Sequence, residues 1–197
     1  MNTPEITTER LRLRRFQESD AEALFSILSD REVNTFLPWF PLETLAQART
    51  RLREGYLKSY EKPLGFRYAV CLKGEPAPVG YVELGDGAPY DLGYGLKKAF
   101  WHQGITTEAC RAVLGQVRLT GLPYVTATHD RNNPRSGSVM RALGMRYRYS
   151  YEELWQPKNL LVTFRLYQLN LDGDDGRTFM GYWERFPVHF IEDGLQS

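Results

Sequence analysis

The stretch Asp91-Leu92-Gly93-Tyr94-Gly95-Leu96-Lys97-Lys98-Ala99-Phe100-Trp101-His102-Gln103-Gly104-Ile105-Thr106-Thr107-Glu108-Ala109 decides how the chain is read. It opens as a strand pattern over 90–96, turns around 101–104, and continues as a helix pattern over 106–120. Glycine at position 104 lacks the Cβ that would hold a ligand off the backbone. The first amides of the helix that follows have no intrahelical acceptor and carry the positive end of its dipole. Strand, glycine turn and helix start together form a pyrophosphate cradle, with Lys97, Lys98 and His102 adding positive charge at its rim. No lysine follows Gly104 in the Walker spacing and no G-x-G-x-x-G is present, so the cradle is neither a P-loop nor a dinucleotide fingerprint.

Upstream, residues 10–16 alternate charge with Leu11 and Leu13, which predicts a strand whose Arg12, Arg14 and Arg15 lie on a solvated face. Ser19 and Asp20 offer an N-cap for a helix over 21–28. A second helix is expected over 43–60, with Leu45, Ala48, Leu52 and Tyr56 on one stripe. Between the two, Phe36, Leu37, Trp39 and Phe40 either line a substrate cleft or pack beneath the helix, and packing is the default. Strands over 66–72 and 79–84 flank a Gly-Pro turn and predict an antiparallel hairpin.

Downstream come a strand over 124–128, a helix over 134–143 closed by Gly144, and strands over 145–154 and 161–169. This order implies an α/β fold, a mixed sheet with helices on both faces. One domain over 1–171 is expected, followed by an aromatic extension over 172–197 whose Phe179, Trp183 and Phe186 share a helix face. That face needs a partner, either the domain itself or an oligomer interface, in the simplest case a homodimer.

The 197 residues are 42% hydrophobic and 25% charged, with a formal charge of +1, a balance that offers no general attraction for nucleic acid. No apolar run reaches the roughly 20 residues of a membrane span, and the start at Asn2, Thr3, Pro4 and Glu5 is unlike a secretory signal, so a cytoplasmic protein is expected. Cys71 and Cys110 read as buried, reduced thiols, and His102, His129 and His189 are scattered without metal-ligand spacing, so no metal is expected.

The central stretch resembles the coenzyme A motif of the GNAT acetyltransferases, in particular their RimJ/RimL-like branch, whose pattern is approximately E-I-G-Y-x-L-x-x-x-x-W-G-x-G-[YI]-[AG]-T-E-A. Asp91, Leu92, Gly93, Tyr94, Leu96, Trp101, Gly104, Ile105, Thr107, Glu108 and Ala109 follow it. Asn133-Pro134-Arg135-Ser136 with Val139, Leu143, Gly144 and Met145 is similar to the family's N-x-x-S helix ending in L-G-F, and Thr8-Glu9-Arg10-Leu11-Arg12-Leu13-Arg14 is similar to its usual opening. The departures are Asp91 for Glu, His102 for a loop glycine, and Thr106 for Gly or Ala at the helix start.

The resemblance implies the GNAT fold, in which two parallel strands, here 91–96 and 124–128, splay apart and acetyl-CoA lies against the first. It places the cofactor against Tyr94, Gly95, Leu96, Trp101, His102, Gln103, Gly104, Ile105, Thr106, Thr107, Asn133 and Ser136. It implies direct transfer to a primary amine of a protein N-terminus, a ribosomal protein or a small molecule, with Asp91 or Glu83 as base, Asp91 preferred, and Ser136 as donor to the leaving sulfur. Met140 stands where many members carry a tyrosine acid. The alternative for Asn133 and Ser136 is helix capping, and the alternative for the whole chain is a catalytically silent coenzyme A-binding sensor or interaction module.

Overall fold

Alternation in Leu11–Arg15 turns Leu11 and Leu13 into the core, where both are fully buried. That strand and its neighbours are seen in a computed structural model describing residues 2–195; residue 1 of the expected domain and residues 196–197 of the expected extension lie outside it. Among the described residues β1 (Ile6–Thr7), β2 (Leu11–Arg15), β3 (Phe66–Leu72), β4 (Pro78–Leu84) and β5 (Leu92–Leu96) form an antiparallel sheet in chain order. A second sheet has the order β6 (Tyr124–Asp130), β8 (Leu160–Asn170), β7 (Arg146–Trp155), β9 (His189–Phe190). Among the described residues a single parallel bridge, Asp91 to Thr126, joins the two, and beyond it β5 and β6 part, leaving the far edge of β5 without a described strand partner. This is the splayed parallel pair expected from the family resemblance.

Helices cover both faces. Val82, Leu84, Leu92 and Leu96 pack with Leu11 and Leu13 against the apolar stripe Ile105, Ala109, Cys110, Val113, Val117 of α3 (Ile105–Val117). On the other face Ala69 and Tyr81 meet Leu24, Ile27 and Leu28 of α1 (Ala21–Leu28) together with Leu52 and Tyr56. The expected second helix is real but not continuous. Thr44 caps α2 (Leu45–Arg51) in a reciprocal box with Gln47, and the chain then widens into a π turn over Leu52–Tyr56 and tightens into a 3-10 turn over Leu57–Glu61.

The arginine strand requires a correction. Arg12 is exposed beside Glu5, as expected, but Arg14 is buried and donates through Nη1 and Nη2 to Asp20 at 2.7 and 2.8 Å. Its Nη2 also meets the Pro76 carbonyl at 2.7 Å. Arg15 lies partly buried over the Tyr60 ring. Asp20 stands at the N-cap position of α1, yet its carboxylate serves Arg14 and the Gln17 amide instead of the helix start. A bidentate charge pair with all its oxygens engaged makes burial tolerable.

After β8 the chain turns back across the second sheet. Phe179, Tyr182, Trp183 and Phe186, in and around α5 (Gly181–Arg185), pack on Tyr149, Tyr151, Val162, Phe164 and Leu166, and β9 pairs with β7. Arg165 grips Glu192 through two donors, at 2.9 and 2.5 Å. The aromatic face thus meets apolar surface of its own chain.

Candidate active site

The turn into α3 is built from backbone that glycine favours. Gly104 has φ of 74° and precedes Ile105, the first helical residue. His102 also has positive φ, 61°, at the position where the family motif has glycine. A brace from the turn between β1 and β2 fixes this turn. The Glu108 carboxylate accepts from Thr8 Oγ1 at 2.6 Å, from the Arg10 amide at 3.0 Å and from Arg10 Nε at 2.6 Å, while Arg10 Nη1 donates to the Gln103 carbonyl at 2.8 Å. Burial pushes the Glu108 carboxyl up, but these donors prevail and hold it below its ordinary value. Thr8 and Arg10 carry the resemblance at the chain's opening, and here they acquire a physical role.

A cleft of about 610 Å³ opens where β5 and β6 part. Tyr94, Gly95, Leu96, Trp101, His102, Gly104, Ile105, Thr106, Thr107, Asn133 and Ser136 all line it, as do Asp91 and Glu83. Gln103 is the exception among the expected residues: its side-chain amide donates to the Ala99 carbonyl and it does not line the cleft. Trp101 is fixed by its Nε1 donating to the Leu96 carbonyl at 2.9 Å, and the Arg135 guanidinium lies 4.7 Å over its ring. Gly95 is required by close approach, because a Cβ there would stand 2.5 Å from the ring of Tyr81, itself a cleft residue.

Phe36, Leu37, Pro38 and Trp39 also line the cleft, so the loop expected to pack beneath the second helix forms a wall instead, with Phe40 largely exposed. Trp155 and Phe164 lie on the same lining. Sequence reasoning missed these two and Arg135, Thr128 and His129. Only Arg135 carried a signal, since it sits inside the Asn133-Pro134-Arg135-Ser136 motif.

Two groups of polar side chains face the gap. Asp91 Oδ1 accepts from Thr126 Oγ1 at 2.7 Å, at the bridge that joins the sheets. Burial raises the Asp91 carboxyl to about 6 and nearby Glu83 adds to the rise, while the Thr126 and Tyr182 hydroxyls oppose it. Glu83 faces Arg67 at 3.5 Å. On the other side of the gap, the Tyr94 hydroxyl reaches α4 (Pro134–Ala142), 2.9 Å from the Ser136 carbonyl and 2.8 Å from Ser136 Oγ. Burial raises the Tyr94 phenol well above its ordinary value. Asn133 Oδ1 accepts from the Ser136 amide at 3.4 Å and so acts as a helix cap. His129 packs with Nδ1 near the Asp130 carbonyl and, among the described residues, Nε2 without a hydrogen-bond partner, and burial lowers its pKa.

The cradle suits coenzyme A: an open strand edge for an extended amide arm, then helix amides at a glycine turn for a pyrophosphate. Among the described residues no group of three or more His, Cys, Asp or Glu side chains is placed to hold a metal ion, and no helix is long and apolar enough to cross a membrane.

Comparison with known proteins agrees with this geometry. The acetyltransferase (GNAT) domain family matches residues 10–146. An uncharacterized N-acetyltransferase of Bacillus subtilis, YnaD, is 29% identical over 143 residues, covering 72% of this chain and 82% of its own. A GNAT-family acetyltransferase structure from Bacillus anthracis superimposes with a TM-score of 0.75 at 23% identity, covering 86% of this chain and 99% of that one. RimL, described as a ribosomal L7/L12 alpha-N-protein acetyltransferase in complex with coenzyme A, superimposes with a TM-score of 0.76 at 19% identity, covering 87% of this chain and 100% of its own. The chain belongs to the RimJ/RimL-like GNAT family and is an acetyl-CoA-dependent N-acetyltransferase.

Proposed function

We propose that the enzyme transfers the acetyl group directly to a primary amine, with Asp91 as general base and Ser136, backed by Tyr94, as hydrogen-bond donor to the departing sulfur. The observation that carries this reading is Asp91 itself, held by Thr126 at the point where the two sheets separate. Acetyl-CoA, when bound, supplies the thioester carbonyl. Tyr94, Gly95, Leu96, Trp101, His102, Gly104, Ile105, Thr106, Thr107 and Asn133 form its berth.

A base must take a proton from an ammonium before the amine can attack. With Asp91 at about 6, an α-amine of reference pKa about 7.7 to 8.0 lies about 2 units uphill and a lysine at about 10.4 lies over 4, or roughly 2.5 against 6 kcal/mol. This supports an α-amine or another amine of low pKa as acceptor, on a peptide or a small molecule. RimL, an alpha-N-protein acetyltransferase of ribosomal L7/L12, supports the same class. Glu83 is the less available of the two carboxylates because Arg67 faces it at 3.5 Å.

On the leaving side, the single Tyr94 hydroxyl hydrogen is within reach of both the Ser136 carbonyl and Ser136 Oγ; turned from the carbonyl to Oγ, it leaves the serine hydrogen to point into the cleft. Met140, on the buried face of α4, has no proton to offer there. The test is amine-dependent thiol release from acetyl-CoA over a panel of peptides with free N-termini, blocked N-termini and lysine, run beside calorimetric titration with acetyl-CoA. Release confined to free α-amines supports the proposal; tight binding without release over the panel favours the silent coenzyme A-binding alternative.

A further inference from the structure

The cleft opens on two unlike faces of the split sheet. Along β5, Leu92 and Leu96 point into the core under α3, so Gly93 and Gly95 lie on the opposite face. A Cβ on Gly93 would stand 3.1 Å from the Glu83 carboxylate, and one on Gly95 2.5 Å from the Tyr81 ring. Tyr81 packs in the cluster around α1 and Phe164 in the cluster beneath the C-terminal segment, so both line the cleft from the side away from α3. Asp91 opens onto the same side, held by Thr126, whose neighbours Val125 and Ala127 point the other way into the core under α3.

Rings from separate parts of the chain wall this amine side. Trp155 of β7 packs on Phe164 with ring centroids 4.8 Å apart. Trp39 lies under the Arg51 guanidinium at 5.0 Å. Phe36, which joins none of the three core clusters among the described residues, stands half-buried in the same wall. Lys158, in the turn that follows Trp155, donates to the Asn34 carbonyl at 3.1 Å and so brings the loop of Phe36 and Trp39 to the end of β7. Among the described residues Arg135 is the only lysine or arginine that lines the cleft, and it sits on α4 over Trp101. Arg67 faces Glu83 but is not in the lining. The amine side thus combines two carboxylates with aromatic faces, a setting that attracts a cation and offers apolar surface beside it.

We propose that the acceptor is an α-amine on a residue with an aromatic or large apolar side chain, which lodges against Phe36, Trp39 and Trp155 while its ammonium group enters toward Asp91. This rests on the reading of the cleft as the site of acetyl transfer to an α-amine, and it names the side chain beside that amine. A serine or alanine in this place leaves the ring wall in water, and an aspartate brings a carboxylate toward Asp91 and Glu83.

Two readouts on the full-length protein test it. The first is thiol release from acetyl-CoA with short peptides that differ only in a first residue of Phe, Leu, Ala, Ser or Asp. The kcat/KM for the Phe and Leu peptides exceeds that for the Ser and Asp peptides by about 100-fold, mostly through KM. The second needs no turnover: calorimetric titration of the coenzyme A-loaded protein with phenylalaninamide and with serinamide. Phenylalaninamide binds about 10-fold or more tighter, and Phe36→Ala and Trp155→Ala each erase most of that preference. Coenzyme A titration of the same variants reports whether the fold is intact, and Phe36→Ala carries the test if Trp155→Ala does not fold. Release and binding indifferent to the first residue, a preference for Ser or Ala, or a preference that survives Phe36→Ala overturns the proposal. Selective binding of phenylalaninamide without release from any peptide sustains the pocket and refutes acetyl transfer to α-amines, whereas absence of both binding and release overturns both readings.

Discussion

The Tyr94 hydroxyl lies 2.8 Å from Ser136 Oγ, so a side chain from β5 bridges to the first turn of α4 across the end of the gap between the two sheets. The pair links the strand proposed to face acetyl-CoA to the helix that carries the proposed donor. Ser136→Ala lowers kcat about 100-fold with little change in the KM for acetyl-CoA, and Tyr94→Phe lowers it less. Because the hydroxyls act as a unit, the double variant is no slower than Ser136→Ala alone, which steady-state kinetics on all three checks.

Asp91→Asn removes the proposed base while keeping an oxygen for Thr126. The kcat/KM at pH 8 falls by about 100-fold or more, and the acid limb near pH 6 disappears from the pH profile. Stability moves in the opposite direction. The folded-state pKa of about 6 lies above the ordinary aspartate value of 3.8, so the folded chain binds the proton more tightly. The stability this confers is complete below about pH 4 and is lost as the pH rises through 6. At pH 8 the asparagine variant therefore melts a few degrees higher than the parent, read by thermal denaturation.

Glu108 is the post to which Thr8 and Arg10 tie the start of α3. Glu108→Gln leaves the Arg10 guanidinium without its charged acceptor and loosens the turn at Gly104. Acetyl-CoA binding weakens about 10-fold by isothermal titration, with kcat at saturation falling less. A variant that bound normally would separate the brace from the cradle.

His102 occupies left-handed backbone at a φ of 61°. A side chain there costs about 1 kcal/mol relative to glycine. Its substitution His102→Gly, which restores the motif residue, raises Tm and binds acetyl-CoA as tightly as the parent or more so. Weaker binding would show instead that the imidazole itself contacts the cofactor.

The run from strand to Gly104 to α3 was legible because its signals are local: alternation, a glycine, then helical spacing. The splay at Asp91 and Thr126 entered through family resemblance, since no local pattern announces that two strands part after one bridge. Arg14 was misjudged because a period of two cannot distinguish a solvated arginine from one whose carboxylate arrives at the next helix start, as Asp20 does. The tie between Arg10 and Glu108 joins residues 98 positions apart, beyond any periodicity. Phe36 and Trp39 read as core because an aromatic ring on a cleft wall and one in a core have the same sequence signature. Gln103 was carried along by its place in the motif, although its side chain turns back to Ala99.

Acetyl transfer to a low-pKa amine at this cleft is tested by continuous detection of free thiol with acetyl-CoA and a peptide bearing a free N-terminus. Saturable, amine-dependent release is predicted, abolished by blocking the N-terminus and reduced about 100-fold in Ser136→Ala. Release equal to the enzyme-free blank over a panel of α-amines, or release unchanged by blocking the N-terminus, would contradict it.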